Sequence, residues 1–459
     1  MTGLPWAAAA SAPSGQVEAA WLAQRLPGTS AKALGSGLTR LIDAGELAPG
    51  AQLPTIRDFA RAAGVSPGTV MSAWSRVRDT GRLATRRRGG TVVVDLHAAP
   101  VRTLDWSEIE MSTVTPDPAL QPDLGAALVR ALNTPDLHAA QRAYITPRLL
   151  RSVAGDWPFE AQVWNCVGGG TEAVVLATAA AAGGGPVAVE EPVSPGYLEI
   201  LRGLGIEPVA VRADAEGPTV ASVDAALDAG VSAVVLQPSG AYAVSGALSE
   251  QRAAQLAALI ADRAPHTWIV EDDSAGPLTD GEPATLGTRL PGQVLRIRSY
   301  CKAFGIDLRT AVMGGSAELI ERTVRLRSFG MASNSRILQN ALAALIEDQQ
   351  TADTLLRARA VYRRRRQAAL AAFARSGLTA TGSPDGFVVW VQVPDETTTL
   401  VNLARHGLVV AAGSTSFVDP PGGLLRISVL QLPDDRDRVD ELAVAVQAAV
   451  HSAEREYFD

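Results

Sequence analysis

The amino-acid sequence predicts an α/β protein with two folded domains, a small basic one followed by a larger one built on a mainly parallel sheet. The chain has 459 residues, a length that corresponds to about three average domains, or to two when one of them is large. Apolar residues make up 47% and charged residues 19%, so the chain can bury large cores. Over most of its length, short apolar segments alternate with Ala- and Leu-rich segments of helical length, as βα units do.

The positive charge is concentrated near the N-terminus. The net charge is −7, but residues 28–96 contain ten basic and five acidic side chains, so this segment carries +5 and the remainder −12. A basic module on an acidic chain is what attraction to nucleic-acid phosphates requires. A solvated face with a chance excess of arginine is the alternative.

The same composition argues against several other classes of protein. Cys166 and Cys301 lie far apart in the sequence and provide neither a disulfide framework nor a zinc site. No stretch approaches ~20 uninterrupted apolar residues, and the first residues lack the basic start of a secretory leader. We therefore expect a cytoplasmic protein with no metal site and no membrane partner.

Three short helices are predicted within the first module, which we assign to residues 28–95. The first follows Ser30 and has leucines at helical spacing. The second begins after Thr55, whose side chain can cap it, and ends at Gly64. Ser66 caps a third helix after only a short turn, which is the signature of a helix-turn-helix. The apolar residues of the third helix are expected in the core: Val70, Trp74 and Val77.

A basic hairpin is predicted directly after the third helix. The pattern of residues 83–94 indicates a strand, a Gly-Gly turn and a strand, with Arg86, Arg87 and Arg88 at the tip. In isolation such a charge run is typical of a solvated hairpin. Its position after a helix-turn-helix favours a wing that contacts DNA.

The order of these elements resembles the GntR family of winged-helix bacterial regulators. The resemblance covers the whole predicted module and includes Leu-Pro-Thr-Ile-Arg at 53–57 and Gly-Val-Ser at 64–66. It implies a double-stranded DNA operator as the partner. It also implies DNA contacts by a set of residues on the second and third helices and the wing: Arg57, Ser66, Thr69, Arg86, Arg87, Arg88 and Gly90.

A linker is predicted over residues 96–110 and the larger domain over residues 111–459. Six apolar segments of this domain have the length and composition of buried strands: 186–189, 208–211, 233–237, 267–270, 293–297 and 311–315. Because helical segments separate most of them, the sheet should be mainly parallel. Such sheets bind ligands at the carboxyl ends of their strands, where candidate site residues are therefore expected.

Lys302 is a candidate for covalent chemistry. Lys32 and Lys302 are the only lysines in the chain, and arginine supplies the remaining positive side chains apart from histidine. Arginine cannot replace lysine in imine formation, because the guanidinium does not usefully lose its proton. Ser299 and Arg309 flank Lys302, so a hydroxyl, an amine and a guanidinium fall together and could hold a phosphorylated aldehyde. Accidental survival of one lysine, as at Lys32, is the alternative.

Two further segments fit the same kind of ligand. Gly169, Gly170 and Thr171 lie where a strand passes into a helix, so their backbone amides can approach a phosphate. Asp272 follows a predicted strand, where a carboxylate can pair with a protonated pyridine nitrogen. Each signal is weak by itself, because glycine runs are common and acidic residues after strands often cap helices.

Taken in order, these segments resemble the fold-type I aminotransferases, and their fusion to a winged helix resembles the MocR subfamily of GntR regulators. The resemblance implies a pyridoxal 5'-phosphate (PLP)-dependent transferase fold with a smaller C-terminal α+β subdomain, and a homodimer. It implies Lys302 as the Schiff-base lysine and Asp272 as the partner of the pyridine nitrogen. It further implies a set of phosphate contacts: Ser299, Arg309 and the amides of Gly169, Gly170 and Thr171.

Arg426 resembles the family arginine that binds a substrate carboxylate. A planar guanidinium suits this role, because it can donate two parallel hydrogen bonds to a carboxylate. A structural salt bridge is an equally good interpretation of this residue.

Three positions depart from the aminotransferase pattern. Ser194 stands where the family places an aromatic residue over the cofactor ring, and Ser274 stands where the family has tyrosine or histidine. Tyr242 lies in the loop whose asparagine usually contacts the cofactor phenol oxygen, and it can still donate a hydrogen bond there. Tyr197 and Tyr300 are candidates to compensate for these losses.

Three hypotheses of function follow from the sequence. The leading one is a transcription regulator that binds PLP through Lys302 and senses the cofactor or an amino compound. The second is a working aminotransferase that carries a DNA-binding module, against which the missing stacking aromatic argues. The third is a regulator whose cofactor site has decayed and whose larger domain serves for dimerisation.

Overall fold

The computed structural model describes residues 16–26, 28–48, 50–78, 80, 82–86, 90–93, 106, 109–135, 137, 143–244, 246–328 and 334–451. The chain divides into two compact units, Met1–Leu104 and Asp105–Asp459. The finer ranges expected from the sequence, 28–95, 96–110 and 111–459, stay predictions.

The first unit contains helices and a two-stranded sheet: α1 (Ala19–Arg25), α2 (Ala31–Asp43), α3 (Ile56–Ala63), α4 (Pro67–Arg78), β1 (Leu83–Arg86) and β2 (Gly90–Val93). The two strands pair antiparallel, with Leu83 opposite Val93. The predicted helix-turn-helix followed by a hairpin is therefore confirmed. Arg87 and Arg88, predicted at the tip of the hairpin, lie outside the described residues.

Local hydrogen bonds explain where these helices begin. The side chains of Ser30, Thr55 and Ser66 each accept a hydrogen bond from the backbone amide three residues later, at 3.2, 3.2 and 3.1 Å. Gly64 ends α3 in the left-handed region with a φ of 66°, a conformation that costs glycine little. The short turn between α3 and α4 thus results from residues that the sequence identifies.

The core of the first unit lies between its helices and the hairpin. Val70, Trp74 and Val77 are buried there, as the sequence predicts. α1 packs against α3 and places Leu22 in the same core. The sequence does not predict α1, because Leu22 is the only buried residue among its seven and no periodic pattern results.

The second unit is built on a seven-stranded sheet with the order β3-β11-β10-β9-β8-β4-β5. Its strands are β3 (Val163–Val167), β4 (Val187–Glu190), β5 (Pro208–Val211), β8 (Ala233–Leu236), β9 (Trp268–Asp273), β10 (Val294–Ser299) and β11 (Ala311–Gly315). All are parallel to one another except β11, which is antiparallel to both of its neighbours. The short hairpin strands are β6 (Ala213–Asp214) and β7 (Gly217–Pro218). The predicted mainly parallel sheet is confirmed.

Helices cover both faces of this sheet: α5 (Leu124–Leu132), α6 (Pro147–Ala154), α7 (Gly170–Ala182), α8 (Tyr197–Gly203), α9 (Val220–Asp228), α10 (Glu250–Arg263), α11 (Cys301–Phe304), α12 (Ala317–Arg327), α13 (Arg336–Ile346) and α14 (Gln349–Arg375). Alternate strand residues belong to two separate buried clusters, with Val234 and Ile269 in one and Val235 and Val270 in the other. The strands therefore consist of continuous apolar runs, as expected of a sheet that is buried on both faces.

A smaller α+β subdomain follows α14, as the resemblance implies. Its sheet has the order β12-β13-β15-β14 and is antiparallel throughout. The elements are β12 (Ala380–Thr381), β13 (Val388–Gln392), α15 (Glu396–Arg405), β14 (Ala411–Ala412), β15 (Leu424–Ser428) and α16 (Arg436–His451). In the described parts of both units, no helix combines the length and the apolar character needed to span a membrane.

Candidate functional site

A cavity lies at the carboxyl ends of the parallel strands of the second unit. Its walls contain every residue that the sequence analysis assigns to the cofactor: Gly169, Gly170, Thr171, Tyr242, Asp272, Ser299, Lys302 and Arg309. These residues are distant in sequence and meet because parallel strands end at the same edge of a sheet. Their individual roles stay predictions.

The glycine run shapes one wall of this cavity. Gly169 has a φ of 129° and immediately precedes Gly170, where α7 begins. A Cβ atom on Gly170 would lie 2.9 Å from Ser299 Oγ, and one on Gly169 would lie 3.8 Å from the central guanidinium carbon of Arg309. Glycine therefore keeps the first amides of α7 open to an anion, beside a hydroxyl and a guanidinium. These residues fit the phosphate group of PLP.

Lys302 lies in α11, directly after β10. Its Nζ atom is 5.9 Å from the centre of the Tyr242 ring and 5.5 Å from that of Phe387. Its backbone carbonyl accepts a hydrogen bond from the Gln121 side chain at 3.2 Å. Lys302 forms no salt bridge with any described residue, so its amine is not committed to a carboxylate.

Asp272 lies near the end of β9 and is 7% exposed. Its Oδ1 atom accepts a hydrogen bond from Ser274 Oγ at 2.5 Å. Burial raises the pKa of Asp272 to about 6, while the Ser274 hydrogen bond and the charge of Lys302 act in the opposite direction. The group is thus mainly a carboxylate at neutral pH and could pair with a protonated pyridine nitrogen.

Glu190 is a cavity residue that the sequence analysis does not assign. It lies at the end of β4, is 2% exposed and accepts a hydrogen bond from the backbone amide of Gln237 at 2.6 Å. Burial and, to a smaller extent, the charge of Asp272 raise its pKa to about 8, while the Gln237 hydrogen bond acts in the opposite direction. A largely neutral carboxylic acid therefore accompanies the Asp272 carboxylate. The signal that suggests Asp272, an acidic residue that ends an apolar strand, also applies to Glu190.

The positions that depart from the aminotransferase pattern all line this cavity, but the two tyrosines that could compensate for them differ in location. Ser194, Ser274 and Tyr197 line the cavity, and the hydroxyl of Tyr197 is 2.6 Å from Thr178 Oγ1. Tyr300 does not line this cavity, and its ring stacks on a neighbouring phenylalanine in α11 instead. From the sequence, Tyr197 and Tyr300 are both candidates to replace the missing cofactor contacts. Tyr300 is not in this wall, so only Tyr197 remains a candidate for that role.

Arg426 lies on β15 and is 4% exposed. It donates hydrogen bonds to Ser416 Oγ at 3.5 Å and to the carbonyl oxygen of Ser112 at 3.0 Å. Burial lowers its pKa, while Tyr242 acts in the opposite direction. It forms no salt bridge with a described residue, so the structural salt bridge left open by the sequence is not found there. Arg426 does not line the cavity around Lys302, and its role stays a prediction.

The predicted DNA-contact residues of the helix-turn-helix lie on helix starts. Arg57 and Ser66 are exposed, and Ser66 Oγ is 2.8 Å from Thr69 Oγ1. Met71, which the sequence analysis does not assign to DNA, is 57% exposed on the same helix α4. In the hairpin, the backbone of Arg86 pairs with Gly90.

Comparison with known proteins yields matches for both units. The family described as aminotransferase class I and II matches residues 122–445, and the gntR family of bacterial regulatory proteins matches residues 31–93. The vitamin B6 salvage pathway transcriptional repressor PtsJ of Salmonella typhimurium is 28% identical over 441 residues, which cover 93% of this chain and 100% of that protein. The HTH-type pyridoxine biosynthesis transcriptional regulator PdxR of Corynebacterium glutamicum is 28% identical over 55% of this chain and 57% of its own length.

Solved aminotransferase structures resemble the second unit. LysN, an α-aminoadipate aminotransferase from Thermus thermophilus, superposes with a TM-score of 0.65 at 21% identity and covers 74% of this chain and 91% of its own. A kynurenine aminotransferase from Pyrococcus horikoshii superposes with a TM-score of 0.66 at 19% identity. The match covers 74% of this chain and 90% of that structure. At these identities the likeness establishes the fold alone.

Proposed function

Since the chain belongs to the aminotransferase class I and II family and carries a gntR-family domain, we propose that it is a DNA-binding transcription regulator that binds PLP at Lys302. One observation carries this proposal. A single cavity contains an uncommitted lysine, a buried carboxylate and a glycine-lined place for an anion. Those are the three groups that a phosphorylated pyridine aldehyde requires.

Different residues of the cavity would bind different parts of PLP. The Lys302 amine would hold the aldehyde carbon, and Asp272 would keep a proton on the pyridine nitrogen. Phosphate would lie against the first amides of α7, beside Ser299 and Arg309. When bound, PLP supplies a reactive aldehyde and an electron-withdrawing ring.

The first unit would supply the contact with DNA. The start of α4 offers Ser66 and Thr69 to a major groove, and Arg57 at the start of α3 offers a cation to the backbone. Arg87 and Arg88 would add phosphate contacts from the wing. We propose a cytoplasmic homodimer that binds two half-sites of one operator, because a symmetric dimer reads a symmetric site.

The names of the relatives favour a vitamin B6 compound as the effector. The Salmonella relative is named a repressor of vitamin B6 salvage, and the Corynebacterium relative is named a regulator of pyridoxine biosynthesis. We propose that PLP, alone or with an amino compound, changes the affinity of this chain for DNA. Such an effector must bind the DNA-competent and incompetent arrangements with different affinities, since equal affinity shifts no population.

Aminotransferase activity is a second candidate function. The observation in its favour is Arg426, a buried guanidinium with no salt bridge among the described residues, which could bind a substrate carboxylate. Ser194 argues against it, because a serine in the cavity wall cannot stack on a pyridine ring. Steady transfer of amino groups between an amino acid and a keto acid, beyond the rate of free PLP, would establish this activity.

Absorbance spectroscopy tests cofactor binding, and the two lysines provide a matched pair. The full chain with one equivalent of PLP should acquire the visible band of PLP bound to a lysine amine. Lys302→Ala should remove this band, whereas Lys32→Ala should keep it. Spectra of the wild type and Lys302→Ala that are equally featureless would contradict the proposal.

Gel-shift measurements on DNA selected from a random library test the regulatory part. PLP should change the affinity of the wild type for the selected DNA and leave that of Lys302→Ala unchanged. Arg57→Ala should weaken binding and reduce its salt dependence, as expected when a phosphate contact is lost. An affinity that is the same with and without PLP would refute cofactor sensing.

A further inference from the structure

A second cavity, of about 590 Å³, lies in the larger unit beside the carboxyl ends of β9 and β10. Its volume is within the range of small-molecule sites. We propose that it is a second binding site, which takes a small carboxylate with an apolar or aromatic body. The two cavities have no lining residue in common, so this site goes beyond the proposed function and does not require PLP.

The alternation of side chains along two strands explains how two sites can lie so close together. Asp272 and Ser299 line the cavity around Lys302, whereas Asp273 and Arg298 line the second cavity. Successive side chains of a strand point to opposite faces. The ends of β9 and β10 therefore form a wall between the two cavities.

Trp157 lines the second cavity and has a buried, unpaired hydrogen-bond donor. This residue lines the cavity and is only 8% exposed. Its buried Nε1 atom has no hydrogen-bond partner, and its ring is held edge-on by Trp164 at a centroid distance of 4.7 Å. A buried donor without a partner is unfavourable. A ligand whose acceptor atom reaches Nε1 would supply that partner.

Arg359 provides the charge that selects an anion. Its Nε atom donates to the carbonyl oxygen of Pro277 at 2.8 Å, but its terminal nitrogens have no hydrogen bond and no salt bridge with a described residue. Arg298 differs, because each of its nitrogens already donates to Asp273, to Glu282 or to a backbone carbonyl. Burial lowers the pKa of Arg359, while the charge of Asp385 acts in the opposite direction, and a bound carboxylate would add to the effect of Asp385.

The rest of the lining indicates what the body of the ligand should be. Apolar and aromatic side chains form much of the wall: Pro158, Phe304, Leu345, Ile346 and Leu355. Asp273 and Glu282 already pair with Arg298, and Asp156 is exposed to solvent. A cationic ligand would therefore find no unpaired buried carboxylate in the described wall, which favours an anion.

Calorimetric titration of the full chain with indole-3-acetate tests the proposal. This probe has an aromatic body and one carboxylate, and its neutral amide, indole-3-acetamide, is the matched control. Saturable binding of the acid is expected, with the amide at least about tenfold weaker because it cannot form a charged pair with arginine. Absence of saturable binding of indole-3-acetate, or equal affinity for the amide, would overturn the proposal.

Variants then locate the site. Arg359→Gln removes the cation and Ala352→Trp fills the cavity, and each should weaken indole-3-acetate binding about tenfold or more. Arg364→Gln changes an exposed arginine on the same helix outside the cavity and should bind as the wild type. Thermal unfolding checks that the variants are folded. Unchanged binding in both of the first two variants would place the ligand elsewhere and overturn the proposal.

Lys302→Ala separates this site from the cofactor site. It should bind indole-3-acetate as the wild type does, even if PLP binding at Lys302 is not observed at all. Loss of indole-3-acetate binding in Lys302→Ala would assign the probe to the first cavity and overturn the second site.

Discussion

The buried acidic residues on one face of strand β9 are paired with an arginine, whereas the one on the other face is not. On one face, Glu271 and Asp273 pair with the guanidinium of Arg296 at 3.1 and 3.3 Å, and none of the three side chains is more than 1% exposed. On the other face, Asp272 has a hydrogen bond from Ser274 and no salt bridge with a described residue. The three acids are consecutive in the sequence, so only the face to which each points distinguishes them.

This difference separates stabilising charges from charges that are available to a ligand. Removing an ion from water costs several kcal/mol unless a partner offsets the cost. Arginine provides that partner on one face. On the other face the cost appears as the raised pKa of Asp272, about 6. Glu190, which ends β4 and lines the same cavity as Asp272, has a pKa raised to about 8. A cationic ring nitrogen of a bound cofactor would lower both values.

The largest expected effect comes from breaking the paired face. Arg296→Leu leaves Glu271 buried without an arginine partner and Asp273 with Arg298 alone, and it should lower the free energy of unfolding by about 3–5 kcal/mol. Arg289→Leu, at an exposed position before β10, the strand that contains Arg296, should change the free energy of unfolding by less than about 0.5 kcal/mol. Urea denaturation followed by circular dichroism measures both. Equal effects would show that the buried pairs do not stabilise β9.

The next effect is a pH dependence that originates at Glu190, in the wall of the cavity around Lys302. The pKa of Glu190 is raised by folding, so its contribution to stability is full below its unfolded value and is lost as the pH rises towards about 8. Between pH 4.5 and 8, Glu190 should lower the free energy of unfolding by at most about 1.4 kcal/mol for each pH unit. Glu190→Gln should flatten that part of the profile. A profile with the same slope in the variant would contradict this assignment.

Asp272→Asn sharpens the comparison, because it should weaken PLP binding without weakening the fold. Loss of a charged partner for the pyridine nitrogen should reduce PLP affinity about 10- to 100-fold, since hydrogen bonds to charged groups contribute about 1.5–3 kcal/mol. The urea midpoint should stay the same or rise, because a buried charge is removed. A large loss of stability would instead place Asp272 among the structural acids.

Ser274→Ala should have the smallest effect. It removes the hydrogen bond that lowers the pKa of Asp272, so the pKa should rise above about 6. As the pH is lowered, PLP affinity should then begin to decline at a higher pH than in the wild type. The loss at pH 8 should be less than about tenfold. Thr279→Ala is the control. The Thr279 hydroxyl lies five residues after Ser274 and donates hydrogen bonds to backbone carbonyls, so its removal should leave the pH profile unchanged.

Much of the fold was predictable because its signals are local. The apolar strands, the caps at Ser30, Thr55 and Ser66, and the turn at Gly64 each depend on a few neighbouring residues. The resemblance to the MocR subfamily is confirmed, since the gntR and aminotransferase matches occur in one chain and a curated transcriptional repressor aligns over 93% of it. The sequence does not predict helix α1, because its seven residues are too few to show a helical repeat of apolar positions.

The sequence alone determined the composition of the site: a rare lysine, a glycine run before a helix, and acids at strand ends. Only the tertiary structure decided which acids belong to it. It placed Glu190 beside Asp272, turned Asp273 towards Arg296 and a second cavity, and directed Tyr300 away from Lys302. The reason is physical, because the partners of a buried charge come from distant strands, and register and side-chain alternation decide which of them it meets.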